Sequence, residues 1–144
     1  MENRDSIHLL KECDAGVKMG IQSIDDVIDN VENEKMRQLL IESKGHHEKL
    51  RDEIHDLLDE YDSSEKEPSK MATIMSWVKT NSKLMMNDDD SVIADLMTSG
   101  SDMGIKSLNK YLNQYSNANH NVKDICHRLI SIEDALRKDL EKYL

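Results

Sequence analysis

The chain has 144 residues, enough for one domain with a real core, and only 3% of them are aromatic, with no Phe and a single Pro. Hydrophobic residues make up 38% and charged residues 33%, with a formal net charge of -10. Few β-branched or aromatic runs argue against a sheet protein. Acidity spread along the whole chain disfavours nucleic acid and anionic membrane as partners, and no apolar run approaches the ~20 residues of a membrane span. The two cysteines, Cys13 and Cys126, stand in no metal-binding spacing, and no apolar leader follows Met1, so a reducing cytoplasm is the expected setting.

Asp5 or Ser6 can cap a first helix. Its seam is Leu10, Cys13, Val17, Gly20, Ile24, Val27 and Val31, in alternating steps of three and four, which predicts packing against other helices. Glu32-Asn33-Glu34 is the expected turn. A second seam follows in Met36, Leu40, Ser43, His47, Leu50, Ile54, Leu57 and Tyr61, apolar except at Ser43 and His47. The short turn makes the two helices an antiparallel hairpin over 5–62.

Asp62 to Lys70 reads as the main linker. Ser69 can cap an extra helix over 69–87, which carries Met71, Ile74, Met75, Val78, Met85 and the single Trp77. Asn87-Asp88-Asp89-Asp90-Ser91 breaks that helix, and its carboxylates suit the positive end of the next helix dipole. A calcium loop is the sharper alternative, but the Gly and the distant Glu of an EF-hand are missing. Two further helices are predicted from about Val92 to Tyr115 and from about Val122 to Tyr143, around a polar turn at Ser116–Asn121. They form a second hairpin over 90–144, and residues 1–144 make one helical-bundle domain.

The two hairpins resemble each other. Gly16-Val17-Lys18-Met19-Gly20-Ile21-Gln22-Ser23-Ile24 returns as Gly100-Ser101-Asp102-Met103-Gly104-Ile105-Lys106-Ser107-Leu108, at an offset of 84 and with five of nine positions identical. The second helices align at an offset of 86, where Leu50-Arg51 meets Leu136-Arg137 and Glu53-Ile54 meets Asp139-Leu140. Paired glycines inside a helix cost roughly 1 kcal/mol each against Ala. Close approach of Gly16/Gly20 to Gly100/Gly104 across a pseudo-two-fold axis would offset that cost. Room for a ligand beside bare backbone is the functional alternative.

Cys13-Asp14-Ala15-Gly16, Trp77-Val78-Lys79, and Asn87-Asp88-Asp89-Asp90 before Ile93-Ala94-Asp95-Leu96 together resemble a bacterial ferritin-like family of unknown function, the domain-of-unknown-function 2383 group, and uncharacterised Firmicute proteins of similar length. The resemblance implies an all-α, ferritin-like four-helix bundle made of two repeated hairpins joined by a crossover helix. Ferritin-like di-iron proteins need a Glu from each of two helices and Glu-x-x-His from the other two. This chain has no Glu-x-x-His, and the corresponding slots hold Val17, Ser43, Ser101 and Leu136.

His46 and His47 are the best remaining candidates for chemistry. Glu42 and His46 share a helix face, while Ser43 and His47 fall on the core seam. The plain structural account is a buried hydrogen bond from His47 to a backbone carbonyl or a carboxylate, or a His47 tipped to the rim. The alternative is an altered zinc or iron site built from Glu42, His46 or His47 with Glu133 or Asp102 of the second hairpin. Cys13 is expected to be a buried, inert thiol. Cys126 and His127 read as flank residues, and His55 and His120 as exposed. No catalytic constellation and no cofactor site is expected. The preferred reading is a non-catalytic bundle acting through protein contacts or self-association, with the Trp77 helix and the Met-rich second half as the contact surface. Metal or oxidative-stress handling is the alternative.

Overall fold

The computed structural model describes residues 3–61 and 89–144. Among these residues the regular structure is wholly helical: α1 Asn3–Val27, α2 Glu34–Glu60, α3 Asp90–Gln114 and α4 His120–Leu140. Single 3-10 turns at Ile28–Asn30 and Glu141–Tyr143 finish α1 and α4. No helix among the described residues is long and apolar enough to cross a membrane. The extra helix expected over 69–87, with Trp77, Met71, Met75 and Met85, lies outside the described residues.

Helix starts follow the capping rules. Asn33 stops α1 from continuing into α2, and its side chain accepts a hydrogen bond from the Met36 amide. Asp89 accepts from the amides of Ser91 and Val92 and so caps α3. Its carboxyl is held below the usual aspartate pKa, chiefly by the Ser91 side chain and by the Val92 amide. Asp5 and Ser6 act differently from the expectation. Helix α1 already begins at Asn3, and these two side chains hold the turn between α3 and α4 instead: Asn117 N donates to Asp5 Oδ2 at 3.0 Å, and Asn119 N to Ser6 Oγ at 2.7 Å.

Helix α1 packs on α2, α3 and α4, and α4 packs also on α2 and α3, leaving α2 and α3 as the outer pair. Hydrogen bonds at the ends fix the chain directions. At one end lie the start of α1, the end of α2 and the α3–α4 turn, where Asn119 Nδ2 also donates to Tyr61 Oη at 2.7 Å. At the other end the start of α3 meets the α1–α2 turn, with Asp90 accepting from Glu32 N at 2.9 Å and Asn33 N at 2.8 Å. Helices α2 and α3 therefore run parallel, and Tyr61 and Asp89 lie at opposite ends of the bundle.

The core has two apolar clusters. Leu9, Leu10, Cys13, Ile54, Val122 and Leu129 centre one, and Ile24, Val27, Met36, Leu40, Ile93 and Leu140 centre the other. Each fully buried aliphatic side chain contributes about 1.5–3 kcal/mol. The seams predict most of this core. In α2 the burial falls on Leu58, with Leu57 only partly covered. Cys126, read as a flank residue, is fully buried. Contact with its thiol, and then burial, hold the Cys13 thiol well above its ordinary pKa, so Cys13 stays protonated and inert. His55, read as exposed, is half-buried: its Nε2 lies 2.8 Å from Oδ1 of Asp14, a fully buried carboxylate that also pairs with Lys18 Nζ at 3.0 Å.

Candidate functional site

A polar layer lies between the two apolar clusters, and all four helices contribute to it. The register that buries Leu40, Leu50 and Ile54 of α2 also buries Ser43 and His47. The His47 ring is 0% exposed. Its Nδ1 lies 2.7 Å from the Ser43 carbonyl, and its Nε2 lies 2.7 Å from Glu133 Oε1 of α4. A carbonyl oxygen only accepts, so Nδ1 carries a proton and donates it. Two lone pairs do not meet at 2.7 Å, so a second proton lies between Nε2 and Oε1. Burial opposes a charged ring. The Glu133 hydrogen bond and charge, with the Ser43 carbonyl, outweigh it and raise the His47 pKa above the ordinary imidazole value. Below that raised pKa the ring is an imidazolium bonded to Glu133.

Helix α1 contributes an absence to this layer. A Cβ on Gly20 would stand 2.5 Å from His47 Nε2 and 2.6 Å from its Cδ2. Gly20 therefore clears the space that the imidazole fills. Opposite, on α3, a Cβ on Gly104 would lie 4.0 Å from Glu133 Oε2, an ordinary contact. Positions 20 and 104 are equivalent at the repeat offset of 84, and 47 and 133 at the offset of 86. The two halves of the chain thus meet at matching positions.

Above this pair the walls of α1 and α3 stand apart. They enclose a cleft of about 130 Å³ lined by all four repeat glycines, Gly16, Gly20, Gly100 and Gly104. Met19, Ile24, Leu96 and Met97 add apolar wall, and His47 and Glu133 form the floor. The expectation of close packing between the glycine pairs is corrected here. Among the described residues nothing lies within 4 Å of a Cβ built on Gly100, and a Cβ on Gly16 would make only an ordinary contact, with Leu129 Cδ2 at 3.5 Å. The glycines face a shared space.

The other candidates lie apart from the pair. His46 and Glu42 are exposed and line a shallow groove on the α2–α4 side with Asp139. Asp102 is exposed, 3.4 Å from Arg137 Nε. So Glu133 and His47 come together, while Glu42, His46 and Asp102 join neither. Among the described residues no three His, Cys, Asp or Glu side chains form a group able to hold a metal ion. Val17 and Ser101, the expected ligand slots, are not the positions that face the pair; Gly20 and Gly104 are. Comparison of the chain with known protein families, characterised proteins and solved structures finds no match.

Proposed function

We propose that this chain is a ferritin-like bundle that acts by binding rather than by catalysis, with the α1–α3 cleft as its recognition site. The parallel course of α2 and α3, with Tyr61 and Asp89 at opposite ends, supports the ferritin-like part, because bundles of that type have one long crossover connection. It also suits the resemblance to the domain-of-unknown-function 2383 group. The observation that carries the binding reading is the cleft itself: about 130 Å³ of mainly apolar space kept open by glycines. A cavity of roughly 150 Å³ with such walls accommodates benzene. A partner's side chain of that size would enter the same space, and Met103, exposed at its edge, would extend the contact.

The metal-binding alternative has less support. His47 spends both ring nitrogens on Ser43 and Glu133, so no lone pair points at an ion, and the facing positions on α1 and α3 carry no side chain. The test of the binding reading is ligand-observed NMR with toluene. Saturation transfer to toluene in the wild type, abolished in Gly100→Leu at unchanged helicity, is the expected result. Equal transfer in both proteins would remove the cleft as the site. A rise in melting temperature on adding zinc or ferrous iron, lost in Glu133→Gln, would favour the metal alternative.

A further inference from the structure

We propose that the cleft selects a small organic cation, an ammonium group on a short hydrocarbon body. This rests on the binding reading above and names its ligand class. Among the described lining residues the acidic groups outnumber the basic ones. Glu12 and Glu133 contribute carboxylates, and no Lys or Arg is among the described lining residues. Among the described lining residues His47 is the one cationic group, and both its N–H bonds are directed to Ser43 and Glu133, so it offers the cleft no donor.

Glu133 supplies the acceptor. Its Oε1 is occupied by His47, while Oε2 makes no hydrogen bond among the described residues and lies towards α3, 4.0 Å from the Cβ position of Gly104. The side chain is 12% exposed and lines the cleft. A carboxylate oxygen accepts an ammonium N–H in a short charge-assisted bond. The apolar walls of Met19, Ile24, Leu96 and Met97 suit the hydrocarbon body. The net charge of -10 raises the local concentration of cations over anions of the same size.

The experiment compares benzylammonium, benzyl alcohol and toluene, three probes with one ring and different head groups, titrated by NMR into the full chain at low salt. Benzylammonium is expected to bind at least about tenfold more tightly than either of the others, the range of one hydrogen bond to a charged group. Glu133→Gln removes the negative charge: a neutral His47 that keeps its Nδ1–H on Ser43 accepts at Nε2 from the amide NH2, which leaves only a neutral oxygen towards α3. It is expected to bring benzylammonium down to the affinity of toluene. If Glu133→Gln does not fold, Gly104→Ala, which places a methyl beside Oε2, is expected to cut the preference for benzylammonium and leave toluene less affected. Toluene binding as tightly as benzylammonium, equal binding of the alcohol, or a preference unchanged in either variant would overturn the cation proposal and leave the cleft reading standing. No binding of any probe would overturn both. A dimer that Gly100→Leu disperses would assign the cleft to a second copy of the chain and also overturn the proposal.

Discussion

Gly20→Ala and Gly100→Ala are the same substitution on equally helical backbone, and the structure gives them opposite signs. Each gains about 1 kcal/mol of helix propensity. At Gly100 nothing among the described residues lies within 4 Å of the new methyl, so that gain should be realised and the protein stabilised by about 0.5–1 kcal/mol. At Gly20 the methyl meets His47 Nε2 at 2.5 Å and Cδ2 at 2.6 Å. The ring is fully buried and held at both nitrogens, so it has no free rotamer to retreat to. Overpacking costs about 1–3 kcal/mol. Pulling the ring off Glu133 leaves buried polar atoms unpaired, for about 1–3 kcal/mol more. The net effect is destabilisation by about 1–5 kcal/mol, read by urea denaturation followed by circular dichroism. His47→Ala supplies the control. In that background the clash is gone, and Gly20→Ala becomes favourable by about 1 kcal/mol, a reversal of sign that additive sites do not show. If Gly20→Ala is neutral in the wild type, or costs the same with and without His47, the steric account of Gly20 is wrong.

The His47 pKa is raised, so the stability it contributes is whole below the unfolded imidazole value of about 6.5 and is lost as pH rises through the folded value. Urea midpoints of the wild type should therefore fall from pH 6 towards pH 8.5, and Glu133→Gln should remove that fall. Ser43 Oγ is buried with no partner among the described residues, so Ser43→Ala should be neutral or stabilising by up to about 1 kcal/mol in the same assay. Asp90→Ala should cost about 1–2 kcal/mol by freeing the Glu32 and Asn33 amides, and their hydrogen exchange should speed up more than that of the helix interiors. Arg128 makes a bidentate pair with Glu53 at 2.9 and 3.0 Å on the surface, so Arg128→Ala should cost no more than about 1 kcal/mol, and less at high salt.

Much of this arrangement is written in the sequence. The three-and-four spacing places Ser43 and His47 on a buried seam, and the offset of 86 that aligns Leu50 with Leu136 also aligns His47 with Glu133. The same offset maps Cys126 onto the core residue Leu40, a signal that outweighs its flank-like surroundings. Folding the first hairpin about Glu32-Asn33-Glu34 sets Gly20 opposite His47, Asp25 opposite Lys44 and Asp14 opposite His55; the last two pairs meet at 2.6 and 2.8 Å. What the sequence does not carry is direction within a face. Glu42 and His46 share one stripe with each other, yet that stripe turns outward, because the three apolar turns around His47 decide which side of α2 is inside. Cap chemistry is equally blind to ownership. An Asp or Ser near a helix start satisfies amides of its own first turn or of a neighbour's loop equally well, and Asp5 and Ser6 serve the neighbour.

The four repeat glycines do not share one explanation, and the difference bears on what the bundle is for. Gly20 is required by the His47 ring. Among the described residues nothing meets a side chain at Gly100, and Gly104 has an unstrained contact at 4.0 Å, so packing among them demands neither glycine. Each nevertheless carries a helix-propensity cost of about 1 kcal/mol. A purely structural bundle would gain by placing Ala at both positions and would lose nothing from its core. What it would lose is width in the cleft, and at Gly104 the clearance beside the one carboxylate oxygen of Glu133 that His47 leaves unused. Stability forgone at positions that border the cleft is what the proposed binding role predicts. It follows that Gly100→Ala and Gly104→Ala should each raise the urea midpoint while weakening whatever the cleft binds.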